Sequence, residues 1–213
     1  MATICTLFEG SYHFGLAALV NSLFRSGFSG VIYAGYRGEL PPWAKARGSA
    51  SNRLTGASGI EIEFIPLETS IHLSNYKPTF ILDVATKYAK DATSIFYFDP
   101  DIVVYCRWSV FERWDAAGVA LCADVNWIRP NDHPVRHSWR AHFAEYDLIL
   151  DQRSDVYYNA GFIGVRREHL EFIQTWQQLH ATIADRHHLL IDNDGTAVFA
   201  VPDQDTLNAT TMR

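Results

Sequence analysis

The stretch IFYFDPDIVV, residues 95–104, decides how the chain is read. Ile95, Phe96, Tyr97 and Phe98 are apolar without alternation, the pattern of a strand buried on both faces. Two carboxylates, Asp99 and Asp101, then flank a single proline. In an extended chain residues i and i+2 share a side, so the two acids are expected to face the same way. At a separation of about 6–7 Å and an effective dielectric of about 20 they repel by roughly 2.5 kcal/mol. A divalent cation is the simplest compensation, because Mg2+ and Mn2+ take oxygen ligands and share them readily between carboxylates, ligand and water. The competing reading is a turn, for which Asp and Pro are both suited.

Working outward, short apolar runs alternate with segments of helical period. Residues 3–8 read as a strand, and Leu16, Leu19, Val20, Leu23 and Phe24 keep the spacing of one helical face up to a stop at Gly27. Strands follow at 30–36 and 60–67, separated by a long excursion, 37–59, rich in Gly, Pro, Ser and Ala. Pro78 is expected to open a helix whose buried stripe is Phe80, Ile81, Val84, Ala85 and Tyr88. After the quoted strand come a short helix near 107–116, a strand at 118–125 and a helical tract within 134–150. A strand at 156–167, interrupted by Asn159-Ala160-Gly161, leads to a helix carrying Leu170, Ile173, Trp176, Leu179 and Ile183. A strand at 197–202 and a helix opened by DQDTLNA (203–209) complete the pattern. This β-α-β alternation predicts an α/β fold, a mainly parallel central sheet with helices on both faces. Ligands of such folds bind outside the carboxyl ends of the strands, where Asp99 and Asp101 fall.

The 213 residues suffice for a substantial core, and 48% hydrophobic with 20% charged residues is ordinary for a globular protein. A net charge of -6 argues against a general nucleic-acid partner. Cys5, Cys106 and Cys122, each in or beside an apolar run, read as buried reduced thiols. No signal peptide and no apolar run of membrane-spanning length is visible, which points to a soluble, cytoplasmic protein.

Three motifs in order, YFDPDIVV (97–104), YNAGFIGV (158–165) and DQDTLN (203–208), resemble the family-eight type of glycosyltransferases. These are the glycogenin-like and bacterial lipopolysaccharide galactosyl- or glucosyltransferase-like enzymes of the GT-A fold. The resemblance covers nearly the whole chain. It implies a Mn2+ or Mg2+ ion held by Asp99 and Asp101 against the diphosphate of a nucleotide-sugar donor, expected to be a UDP-sugar, with a glycan or other hydroxyl acceptor. It also implies retention of stereochemistry. Thr6, Leu7, Phe8 and Tyr12 would cradle the nucleotide, and Lys77 would lie near the donor diphosphate or sugar. Asn159, Ala160 and Gly161 would lie near the acceptor and donor sugar, with Gln204 and Asp205 approaching the reacting centre. Members of the family supply a third metal ligand, a histidine in an H-x-x-G-x-x-K-like segment beyond the D-Q-D helix, and the chain ends at Arg213 before one. The expectation is a single glycosyltransferase-like domain, 1–213, lacking that C-terminal segment.

Simpler readings stand beside these. Tyr12 is also an ordinary helix-start tyrosine, Gly161 also marks a bulge, and Asp203 is placed to cap a helix. His133 and His137 share a helical face but His142 falls off it, short of a zinc site. Asp192-Asn193-Asp194-Gly195 reads as a turn, and His187-His188 as a loop or helix end. Two further functions remain open. Asp99-Pro-Asp-Ile-Val103 matches the D-x-D-x-T/V motif of haloacid-dehalogenase-type phosphatases, with Asp99 as nucleophile. A non-catalytic module binding nucleotide-sugar or glycan is the other. A sugar nucleotidyltransferase is disfavoured, because FEGSYHFG (8–15) lacks the Gly-rich loop that enzyme needs.

Overall fold

A computed structural model describes residues 1–45, 52–56, 59–183, 190, 195 and 197–213. In chain order the elements are β1 (Ala2–Glu9), a 3-10 turn (Gly10–Tyr12), α1 (His13–Ser26), β2 (Gly30–Arg37), α2 (Pro42–Lys45), β3 (Arg53–Thr55), β4 (Ile60–Pro66) and α3 (Leu73–Asp83). They continue with β5 (Ser94–Phe98), α4 (Ser109–Asp115), β6 (Ala120–Ala123), α5 (Pro134–Ala144), β7 (Tyr158–Arg166), α6 (Leu170–Ala181) and α7 (Pro202–Thr210). The seven strands are ordered β3-β4-β2-β1-β5-β7-β6. β1 pairs in parallel with β2 and β5, and β2 with β4, so four carboxyl ends share one edge. β3 and β7 run antiparallel to β4 and β5. The fold is therefore mixed α/β with a mostly parallel centre and helices around it.

The chain divides into two compact units. The first comprises Met1–Ala120 with Gly161–Leu170, the second Leu121–Ala160 with Glu171–Arg213. In the first, Phe8, Leu16, Ala34, Tyr36, Ile62 and Phe64 form a buried cluster, with the rings of Phe8 and Tyr36 stacked at 5.8 Å. Ile95 to Phe98 are all buried, as the unbroken apolar run requires. In the second, Trp139, Phe143, Leu179, Phe199 and Met212 form the core. Each fully buried ring or branched chain contributes about 1.5–3 kcal/mol.

Several expectations need correction. α3 starts at Leu73, five residues before Pro78, because the Nδ1 of His72 accepts the Ser74 N–H and caps an earlier turn. Pro78 sits inside the helix, and burial of Lys77, Pro78, Phe80 and Ile81 offsets the hydrogen bond it cannot donate. Tyr88 ends that tract exposed, in a π-helical turn over Val84–Tyr88. Residues 197–202 make no strand: Val198 and Phe199 enter the second core from a turn, with the Val198 carbonyl accepting the Trp139 indole N–H at 2.7 Å. Cys5 is buried, but Cys106 is exposed and Cys122 half-buried. The described part of 37–59 carries α2 and β3. His187, His188, Asp192 and Asp194 lie outside the described residues. Gly27 is the stop the sequence suggests, at φ 88°, where a side chain would be strained.

Candidate active site

In the first unit a cleft of about 170 Å3 opens at the carboxyl ends of β1 and β5. Leu7, Phe8, Glu9, Tyr12, His72 and Lys77 line it together with Tyr97, Asp99 and Asp101. The two acids do not lie in an extended segment. The Ile102 N–H donates to the Asp99 carbonyl at 3.1 Å, closing a four-residue turn with Pro100 at its second position. The two acids therefore line one cleft by way of a turn and not by the alternation of an extended strand.

That turn is braced from two sides. The Asp99 N–H donates to the Gly161 carbonyl at 2.7 Å. On the other side α1 approaches so closely that a Cβ on Gly15 would stand 2.6 Å from the Pro100 carbonyl oxygen. Gly15 is thus the residue that lets a helix touch the acid-bearing backbone.

The charge balance of the pair answers the question raised by the sequence. The Asp99 carboxylate accepts the Tyr97 hydroxyl at 2.8 Å and the Lys77 ammonium at 3.1 Å to either oxygen. Lys77 is only 4% exposed, and its ammonium also lies 5.5 Å from the centre of the Tyr97 ring. Asp101 is exposed and has no hydrogen-bond or ion-pair partner among the described residues. The Lys77 ammonium thus balances the charge of Asp99. Asp99 and Asp101 fit a divalent cation as a donor set of two carboxylate residues on one turn. No group of three metal-ligating side chains exists among the described residues.

Leu7, Phe8 and Tyr12 line the cleft, Tyr12 with 55% of its surface exposed. Thr6 does not. It is fully buried, and its hydroxyl has no hydrogen-bond partner among the described residues. Gly161 makes no bulge, since β7 runs unbroken and its carbonyl serves the Asp99 turn.

The second unit holds the other sequence-predicted residues, in a different state. Asp205 is fully buried: its carboxylate takes Arg129 and the Tyr157 hydroxyl, each at 2.6 Å, and the Val201 N–H at 2.9 Å. Burial pushes its carboxyl above the usual range against the pull of those donors, and burial beside Asp205 raises the Tyr157 phenol likewise. Asp205, not Asp203, reaches back to the residue preceding α7, so the expected cap is displaced by two positions. Gln204 is buried too. Its amide donates to Asp124 at 2.9 Å and accepts the Ala160 N–H at 3.1 Å. Neither residue of the D-Q-D pair presents an open side chain.

Asn208 continues the pattern. Its side-chain oxygen accepts the Tyr158 N–H at 2.7 Å and its amide donates to the Tyr158 carbonyl at 2.8 Å. Gln204 and Asn208, one helical turn apart, thus serve β7 as a neighbouring strand would. Asn159, on the alternate side of that strand, is exposed and donates to Asp124 at 3.2 Å.

Asp124 and Arg129 were missed by the sequence reading. Burial would raise the Asp124 pKa, but the N–H groups of Asn126 and Trp127 and the amides of Asn159 and Gln204 outweigh it and hold it low. The Arg129 guanidinium lies 4.1 Å from the centre of the Trp127 ring and 4.8 Å from that of Tyr157. A carboxylate directly after a short strand was the only signal for the first. Nothing local marks the second. Arg136, fully buried, donates to the carbonyls of Arg129 and Val156, and burial beside Arg140 lowers its pKa to about 10. His133 caps α5 by accepting the Val135 N–H.

No protein-family model and no curated protein matches the chain. Among solved structures it is similar to the apo structure of the WbbM bifunctional glycosyltransferase, with a TM-score of 0.60 and 14% identity. The match covers 99% of this chain and 37% of that one. The chain shares its fold with part of that structure and spans little more than a third of its length. No helix among the described residues is long and apolar enough to cross a membrane.

Proposed function

We propose that the chain transfers a sugar from a nucleotide donor, a UDP-sugar, to a hydroxyl acceptor, with retention, and that Asp99 and Asp101 hold a divalent cation against the donor diphosphate. The observation that carries this reading is the cleft at the carboxyl edge of the parallel strands, with one acid compensated by Lys77 and the other exposed and unpartnered. A cation there would act as a Lewis acid on the leaving diphosphate. Lys77, freed from Asp99 by that ion, would turn its charge toward the same phosphates. Tyr12, at the rim, would flank the base. A cleft of about 170 Å3 is smaller than the roughly 300 Å3 of an ordinary ligand pocket. A whole nucleotide-sugar would extend beyond it.

Within the second unit, Asn159, an exposed residue, would offer its amide to sugar hydroxyls in this reading. Gln204 and Asp205 support other residues instead of reacting, so no nucleophile is assigned and front-face attack by the acceptor fits the residues best. The similarity of fold to a bifunctional glycosyltransferase supports transfer over the phosphatase reading.

The test is thermal denaturation with UDP, Mn2+ and both, on wild type and Asp101→Ala. UDP with Mn2+ at about a hundred times the dissociation constant should stabilise the wild type by about 2.7 kcal/mol, and the substitution should abolish the shift. Equal stabilisation of both proteins would remove the metal role, and release of phosphate from simple phosphoesters would favour the phosphatase.

A further inference from the structure

Two chains of contacts converge on Trp127. Gln204 donates to Asp124, whose carboxylate accepts the backbone N–H groups of Asn126 and Trp127. Asp205 holds Arg129, whose guanidinium lies 4.1 Å from the centre of the Trp127 indole. Tyr157 closes the stack: its ring is 6.3 Å from that of Trp127 and within 28° of parallel, with the guanidinium over both. One indole face is therefore covered by a buried, ion-paired arginine. Yet Trp127 keeps 40% of its surface exposed, in a loop where Val125 and Ile128 are exposed as well. A tryptophan placed only to fill a core would not be held so firmly and still keep this much of its surface exposed.

Polar groups suited to a sugar share Asp124 with it. Asp124, bonded to the Trp127 N–H, also receives the amide of Asn159, the exposed residue of β7. A pyranose has an apolar face of C–H groups and a rim of hydroxyls. An indole fixed from behind meets the first and a side-chain amide meets the second, at little cost in side-chain ordering.

We propose that the open face of Trp127 is a stacking platform for a pyranose ring, with Asn159 bonding its hydroxyls, and that the D-Q-D pair exists in this fold to hold that platform. The inference rests on the glycosyl-transfer reading for its choice of ligand class, but not on the metal or the nucleotide. Protein docking on the exposed Val125 and Ile128 is the rival use of the loop, and it predicts no response to small glycosides.

The experiment uses the whole chain labelled with 5-fluorotryptophan, which gives six fluorine signals, one for each tryptophan. Trp127→Phe identifies the Trp127 signal by its disappearance. Methyl β-D-galactopyranoside and methyl α-D-glucopyranoside are titrated into the wild type, with methanol as a control. The expected result is a saturable shift of the Trp127 signal with at least one glycoside and none with methanol. Trp127→Ala should weaken glycoside binding, followed by calorimetry, by about threefold to tenfold, the range of one ring contact, while Trp127→Phe retains most of it. An unmoved Trp127 signal overturns the platform, whether or not Trp127→Ala folds. UDP stabilisation with Mn2+ in that same protein would leave the donor reading standing. A glycoside response without any UDP effect would support the platform and remove the donor reading alone.

Discussion

The carboxylates of the two units differ in what surrounds them. Asp99 and Asp101 sit on a turn at the mouth of a cleft, the first shared with a lysine and the second open to solvent. Asp205 and Asp124 are saturated, each by three or more donors from its own unit. A carboxylate that has spent its lone pairs on the protein supports structure, and one that has not is available to a ligand. By this criterion Asp205, the buried acid of the D-Q-D segment, is engaged within its own unit.

The sharpest way to break the contrast is Arg129→Ala. It removes the cation from a fully buried carboxylate, which should cost about 3–5 kcal/mol, read as a lower urea midpoint. Asp101→Asn, at the exposed acid, should change stability by no more than about 0.5 kcal/mol. Similar losses in the two variants would dissolve the distinction. Next in size is Gly15→Ala. Its methyl would meet the Pro100 carbonyl at 2.6 Å, and the expected cost is about 1–3 kcal/mol. Because the displaced atoms carry Asp99 and Asp101, stabilisation by UDP with Mn2+ should weaken as well. An unaltered ligand response would mean that the turn does not need its brace.

The smallest effect concerns acid. Asp124 has a folded pKa below its ordinary value of 3.8. Its contribution to stability is thus complete above that value and disappears as pH falls through the lower folded pKa. Comparison of urea midpoints at neutral and strongly acidic pH should show less acid loss in Asp124→Asn than in wild type. Identical pH dependence would show that Asp124 is not the saturated acid the geometry makes it.

The sequence made the sheet legible because buried parallel strands leave continuous apolar runs such as Ile95–Phe98, and it made Gly27 legible because only glycine suits that φ. It misplaced the start of α3 because Pro78 is a strong local signal, overruled by burial of the face on which it lies. At the site, Asp99 and Asp101 stood out by type and spacing. The Lys77 ion pair did not, since it joins residues 22 apart. Arg129 and Asp205 are 76 apart and Asp124 and Gln204 80 apart. Contacts of such separation leave no periodic trace in the chain, so the motif DQDTLN does not show what its residues touch.

The pairing of Gln204 and Asn208 with Tyr158 and Ala160 has a consequence of length. Four residues of helix advance about 6 Å, and two residues of strand about 6.6 Å. The two pitches agree well enough for two rungs. A third would fall out of step and, after another four residues, swing some 40° further around the helix axis. A helix can therefore replace a missing strand only as a short splice, and a single residue inserted between Gln204 and Asn208 should unfasten both rungs together.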